Sequence, residues 1–417
     1  MLRPGAFAPL AHGAVGASGK PKQTIVVLAD GGWDVMFAFD PKLGLDSLEG
    51  PEVDENPAYP DDVEYVRTFG DIPIICNEHK RPAVTTFFEN WSDQIAVING
   101  IWSESIVHQD SRVRMLTGTK LATSQDIATI VGHTHGKTRP LGSIDFSGRG
   151  FPGKLSASTG RVGVTSQLRT LVDQSSAFVA PEGAGYVLPT FVPTDESTSL
   201  VTTHLRSRLA KFGAPPGAAN VQTLANLLES YDRKERLTAE GVVALAALYP
   251  GYWPDLPLQA DIAVDMLAKG LCQTVTLGLD GWDSHATNSV QHTLFDQLFM
   301  TLESIAMALV EADMLADTMV YVVSEMGRTP HLNGDIGKDH WPHTSVMLFG
   351  GGVRGGRAYG GTDDVLESRP VDFVSGDATD SGTLLKFDNL VAGLLAANDV
   401  DPEEWLPGVE AFGAAFL

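Results

Sequence analysis

The chain of 417 residues has little cysteine, little positive charge and no long apolar run. Its two cysteines, Cys76 and Cys272, stand far apart in apolar surroundings. That excludes a disulfide framework and a cysteine metal knuckle, and both read as small buried hydrophobes. Lys and Arg number 29 against 52 Asp and Glu, a formal net charge of -23. An acidic excess of this size argues against nucleic acid as a partner, because phosphates need clustered cations. It argues equally against docking on an anionic membrane. No stretch reaches transmembrane length. Charged residues are only 19 % and apolar ones 43 %, so the chain can bury a core instead of remaining disordered. There is no Walker pattern and no Ser-His-Asp elbow. Nothing in the sequence sets an oligomeric state.

Residues 1–20 are rich in Ala and Gly but interrupted by Pro9 and His12, and they lack a twin arginine. They read as a loose N-terminal arm, and the compartment stays open, cytoplasmic only as the sequence is written. A signal remnant, and hence export, is the alternative, because the stretch ends in small residues.

Short apolar runs recur at Thr24–Ala29, Ile95–Asn99, Thr274–Leu279, Met319–Val323 and Ser345–Phe349. Continuous apolar strands of this kind are covered on both faces, as in parallel sheets. Between them, Val290, Leu294, Leu298, Leu302, Ile305 and Leu309 form one stripe at helical spacing within 289–313. The alternation predicts a doubly wound, mostly parallel α/β fold, with residues 21–417 as one domain. The stretch 150–265 differs, with Pro- and Gly-containing loops and helical runs at Leu224–Tyr231 and Ala239–Leu248. It reads as a helical insertion or cap over the sheet. Asp46–Asp62 reads as a solvated acidic loop. Gly350–Gly355 fits GxGxxG formally, but no helical pattern follows, so it is discounted as a dinucleotide loop.

Four segments carry the polar residues that an apolar sheet does not explain. Asp30-Gly31-Gly32-Trp33-Asp34 follows the first strand, where glycines permit a sharp turn and Asp30 could ligate a cation; a plain turn is the bland alternative. Gly281-Trp282-Asp283-Ser284-His285 follows another strand. Asp283 with His285 suits a first-row metal, whereas a helix cap by Asp283 or Ser284 is the structural reading. In Ser324-Glu325-Met326-Gly327-Arg328, a carboxylate directly after a β-branched run needs a partner, either a metal or Arg328. Asp339-His340-Trp341-Pro342-His343 packs two imidazoles beside a carboxylate, more than a satisfied core histidine explains. Together these segments offer enough carboxylate and imidazole for one or two cations in an in-line displacement. In such sheets ligands gather at the carboxyl ends of the strands. Mixed imidazole and carboxylate favours zinc, with manganese or calcium as alternatives.

The combination GWDSH, SEMGRTP, DHWPH and GGGVRGG resembles a bacterial family known as domain of unknown function 1501. That family looks like a sulfatase-like branch of the alkaline-phosphatase and sulfatase superfamily. The resemblance runs from Thr24 to about Gly408 and is weakest in 150–265. It implies an alkaline-phosphatase-like fold and hydrolysis of a small-molecule, saccharide or lipid phosphate or sulfate ester. By resemblance Asp30-Gly31 matches the superfamily's first metal ligand. His108-Gln109-Asp110-Ser111-Arg112 followed by Thr117-Gly118 matches the sulfatase nucleophile segment. His108 then occupies the nucleophile position, Arg112 looks like the sulfatase arginine, and Ser111 is a fallback nucleophile whose bland role is a helix-start hydrogen bond. Asp283 and His285 echo a superfamily Asp and His at shorter spacing. Glu325-Met326 aligns with an adjacent Asp-His pair, so that histidine is absent here and Asp339-His340 would supply it. His343-Thr344 matches the last ligand. The implied metal set is Asp30, Asp283, His285, Glu325, Asp339, His340 and His343, with His108, Arg112 and Ser111 as the catalytic set. Two other readings stand beside it: a non-catalytic binding or scaffold protein on the same fold, and a phosphoryl-transfer or mutase enzyme.

Overall fold

The structure, a computed structural model, describes residues 23–161, 194–212, 232–233, 235–237 and 255–417. The arm at 1–20 and the helical patterns at Leu224–Tyr231 and Ala239–Leu248 lie outside the described residues.

Twelve strands are described: β1 Gln23–Asp30, β2 Tyr65–Phe69, β3 Ile72–Cys76, β4 Ile95–Trp102, β5 Ser143–Asp145, β6 Thr159–Arg161, β7 Thr274–Asp280, β8 Thr318–Val323, β9 Gly327–Arg328, β10 His340–Trp341, β11 His343–Gly350 and β12 Arg357–Gly360. Eight form one sheet in the order β12-β4-β11-β8-β1-β7-β5-β6. All five apolar runs fall on its central strands. β1 pairs in parallel with both β7 and β8, so Asp30 ends level with Asp280. The departure is β11, which runs antiparallel to both β4 and β8. Only the reversed direction lets His343 begin its strand at the edge where β1, β7 and β8 finish. β6 pairs with β5 within the sheet, so residues 159–161 of the expected insertion belong to the main layer.

The sheet is covered on both faces because alternate residues of each central strand point opposite ways. Ile25, Val27 and Ala29 join the core on one face, with the helices Pro82–Trp91, Leu256–Ala268 and Val290–Glu311. Val26 and Leu28 join the other, with His108–Thr117, Ile127–His135 and Phe387–Ala397. In Val290–Glu311 the residues Leu298, Leu302, Ile305 and Leu309 are buried as the stripe requires, whereas Val290 at its first position is exposed. That helix is long and apolar enough to cross a membrane by length and composition, but half of its apolar window is buried inside the protein. Cys76 and Cys272 are both buried and unbonded. Gly350–Gly355 turns into β12 instead of a helix, which removes any nucleotide-binding reading of that loop.

Candidate metal centre

The parallel strands deliver their last residues to one edge, and the tight turn after β1 brings the segments into contact. Gly31 has φ +131, a conformation L side chains rarely adopt, and a Cβ there would meet the Asp283 backbone nitrogen at 2.5 Å. That close approach sets the GWDSH loop beside the β1 turn. Beneath it Trp33, Trp282 and Phe295 are fully buried and packed edge-on or stacked, a rigid floor for the polar layer above.

Three imidazoles converge above this floor, and their partners determine which nitrogen carries the proton. His108 opens the helix His108–Thr117 and donates from Nδ1 to Glu325 Oε1 at 2.8 Å. His340 donates from Nδ1 to the Ile106 carbonyl at 2.7 Å, and His285 from Nδ1 to Asp339 Oδ1 at 2.9 Å. A carbonyl or carboxylate only accepts, so each Nδ1 holds a proton, and each ring when neutral turns the lone pair of Nε2 away from that partner. All three Nε2 atoms lie beside the Asp283 carboxylate. His285 Nε2 and His340 Nε2 are 2.9 Å apart, and each lies 3.2 Å from Asp283 Oδ1. His108 Nε2 lies 3.4 Å from Asp283 Oδ2 and, though buried, makes no hydrogen bond. One ligand atom from each of His108, Asp283 and His340 falls within 4.8 Å of the others, close enough to hold a metal ion. An unbonded buried imidazole nitrogen beside a carboxylate fits a divalent cation, and hydrogen bonds on the far side of each ring are what metal-ligating histidines carry.

Electrostatics reinforce the donor set. Partial burial would raise the Asp283 carboxyl, but the hydrogen bond and charge of Arg328, with His340 and His108, pull it down to about 2. Arg328 is buried and donates to Asp283 Oδ1 at 2.7 Å and to the carbonyls of Gly31, Gly32, Trp282 and Lys338. Its pairing with Asp283 replaces the Glu325–Arg328 pair that was the alternative to metal ligation by Glu325. Glu325 instead accepts the Gly31 N–H and the His108 ring proton. The Glu325 hydrogen bond raises the His108 pKa against the opposing effect of burial. Asp283 does not cap the following helix, whose N-cap is Ser289.

A second layer lies beside the first. Arg112, one turn on from His108 on the same helix face, donates from Nε to Asp30 Oδ1 at 2.9 Å. Arg149, after β5, approaches Asp30 Oδ2 at 2.8 Å and Asp280 Oδ1 at 3.4 Å. Asp30 is therefore held between two guanidiniums, and the nearest atom of Glu325 is 4.0 Å from Arg112. Burial raises the Asp280 pKa, with Arg149 opposing and Asp30 adding.

The expected ligands thus divide. Asp283, His285 and His340 meet at one point; Glu325 and Asp339 touch its imidazoles from behind; Asp30 faces arginine. His343 is not brought into the cluster. Its Nδ1 accepts the Ser368 N–H at 3.2 Å and lies 2.7 Å from the Ser368 hydroxyl, the opposite tautomer from the other three. Burial drops its pKa to about 4. Ser111 is fully buried and donates to the Ser105 carbonyl, the helix-start bond weighed against a nucleophilic role. Arg149 was missed because it lies on a loop without strand or motif. Lys338, also missed, is fully buried with its Nζ 2.8 Å from Asp34 Oδ2. A lysine after Gly337 carries no sequence signal of burial.

The fold and this cluster define an α/β protein with an imidazole–carboxylate centre at the carboxyl edge of its sheet. Residues 254–378, which carry the GWDSH, SEMGRTP, DHWPH and GGGVRGG motifs, match the family described as protein of unknown function (DUF1501). No curated protein matches the chain. Among solved structures it is similar to Ps i-CgsB, with 10 % identity, a TM-score of 0.43, and 95 % of this chain and 76 % of that one covered. It is also similar to the PsFucS1 sulfatase from Pseudoalteromonas sp., at 10 % identity and TM-score 0.38 over 95 % and 74 % of the two chains. A third likeness is to the phosphonate monoester hydrolase of Agrobacterium radiobacter, at 11 % identity and TM-score 0.34 over 94 % and 78 %.

Proposed function

We propose that the protein is a metal-dependent hydrolase of phosphate or sulfate esters. The observation that carries this reading is that ligand atoms of His108, His340 and the low-pKa Asp283 lie within 4.8 Å of one another, with His285 Nε2 beside them and each imidazole oriented by a hydrogen bond on its far side. His108, His340 and Asp283, with His285 adjacent, would hold the cation, and zinc suits that mix of nitrogen and oxygen donors. A bound divalent cation would polarise water and offset charge on a tetrahedral anion.

The chain's own residues supply the rest. Arg112 and Arg149 carry fork-shaped guanidiniums that match the oxygens of a tetrahedral anion. They reach it by exchanging Asp30 for substrate oxygens. Glu325 fixes the ring of His108 and holds its Nδ1 proton, so that Nε2 faces the centre. Arg328 keeps Asp283 ionised. The segment 150–265 is the part of the chain we assign to the leaving group. A second reading, a binding protein without turnover, draws on Asp30 occupying both arginines and on the burial of Ser111.

Elemental analysis of zinc-reconstituted protein, joined to a screen of aryl phosphate and sulfate esters, tests both. Bound zinc with turnover supports the hydrolase; bound zinc without turnover supports the binding protein; no bound transition metal or calcium defeats the metal reading.

A further inference from the structure

A second site lies outside this centre and does not depend on its chemistry. A cavity of about 440 Å³ is lined by Asp54, His79, Lys80, Ser289, His292 and Thr293. That volume is in the range of small-molecule sites. His292 is its most informative wall. The residue is only 5 % exposed, and its Nδ1 lies 2.8 Å from Arg81 Nη1. Arginine only donates, so Nδ1 accepts and the ring proton sits on Nε2. Nε2 makes no hydrogen bond; the nearest acidic oxygen is Asp54 Oδ2, at 4.0 Å. A buried N–H donor left unpaired costs about 1–3 kcal/mol, which an acceptor held in the cavity would recover.

The neighbours narrow the kind of acceptor. A metal cation is excluded because the Nε2 lone pair is taken by its proton. An anion is disfavoured because the ring carries no charge: burial and the charges of Arg81 and Lys80 push its pKa down to about 2. Lys80, the one cationic wall, is already spent on Asp62 Oδ1 at 3.2 Å and on the Asp54 carbonyl. What remains is a neutral N–H, hydroxyls from Ser289 and Thr293, and the Asp54 carboxylate, a mixture of donors and acceptors without net positive charge. A hydroxyl group satisfies both kinds at once, accepting from Nε2–H and donating to carboxylate. His79, stacked on Tyr59 with ring centroids 5.0 Å apart, adds a flat wall against which C–H groups can lie.

We propose that this cavity binds a neutral polyhydroxylated molecule, a monosaccharide or polyol, through the His292 Nε2–H and the Asp54 carboxylate. The full-length chain is titrated by calorimetry with glucose, galactose and sorbitol, and separately with inorganic phosphate and with glycine. The expected result is saturable binding of at least one neutral probe with Kd of about 10 mM or tighter. Asp54→Ala, a partly exposed position, weakens it at least tenfold with an unchanged urea midpoint. Ring NMR of His292 at pH 6 shows a neutral Nε2–H tautomer that shifts on adding the sugar or polyol. The proposal is overturned if none of the three neutral probes binds, or if Asp54→Ala leaves their binding unchanged. It is equally overturned if phosphate or glycine binds there in their place, or if His292 is charged or protonated on Nδ1 at pH 6.

Discussion

The Nε2 atoms of His285 and His340 point at each other across 2.9 Å, both with their protons committed elsewhere. Two lone pairs at that distance repel, so a third body must lie between or beside them: a proton on one ring, or a cation bound by both. Asp283 Oδ1, 3.2 Å from each, supplies the negative charge that favours either.

If a cation is the shared partner, zinc binding should raise the melting temperature, since a ligand that binds only the folded state stabilises it. His340→Ala should abolish most of that increase while leaving the metal-free melting temperature nearly unchanged. Calorimetric scans with and without zinc check this, and equal increases in both proteins would favour the shared proton.

Glu325→Gln tests orientation without removing a ligand. Loss of the carboxylate behind His108 should reduce zinc affinity about 10–100-fold, as other changes behind a metal-ligating imidazole do. Competition against a chelating dye measures it. Glu325→Ala should further destabilise the fold by about 1–3 kcal/mol, because the buried Gly31 N–H loses its acceptor.

Arg149→Ala should lower kcat/KM for an ester about 10–100-fold, the worth of a charge-assisted hydrogen bond of about 1.5–3 kcal/mol. Arg149→Lys should recover little, since an ammonium does not reproduce the guanidinium fork. Steady-state kinetics on the ester found in the screen decide; full activity in Arg149→Ala would remove Arg149 from the anion site.

Lys338→Met should destabilise the protein by about 3–5 kcal/mol, because Asp34 then remains as an uncompensated buried charge. Adding Asp34→Asn should return part of the loss. Urea unfolding of the single and double variants measures both steps.

Acid should weaken the fold well above the carboxylate range. His343 and His292 have folded pKa values near 4 and 2, below the ordinary value of about 6.5. Below about pH 6.5 the unfolded chain takes up protons that the folded chain refuses, so stability falls as pH falls toward 4, with His292 extending the loss lower. Each group adds a slope of up to about 1.4 kcal/mol per pH unit. His108, whose pKa is raised, works the other way: its contribution is present below its unfolded pKa and lost as pH rises. Two depressed histidines outweigh one, so the urea midpoint should drop from pH 7 to pH 5, and less so in His343→Phe. A midpoint unchanged over that range would show that these rings titrate normally.

Periodicity and composition sufficed for the α/β class, for the central strands and for the long helix Val290–Glu311, because continuous β-branched runs and a 3–4 apolar stripe are local signals that burial on a sheet demands. The four polar segments were legible for a related reason: carboxylates and imidazoles directly at the ends of apolar strands have no cheap structural explanation. What the linear order did not contain was partnership. The reversal of β11, the rotation of His343 toward Ser368, the capture of Asp30 by Arg112 and Arg149, and the pairing of Arg328 with Asp283 instead of Glu325 all join residues tens to hundreds of positions apart. Which nitrogen of an imidazole carries its proton depends on the atom opposite it, and that atom is supplied by tertiary packing alone. Residue type therefore set which groups could ligate, and the folded geometry decided which of them meet.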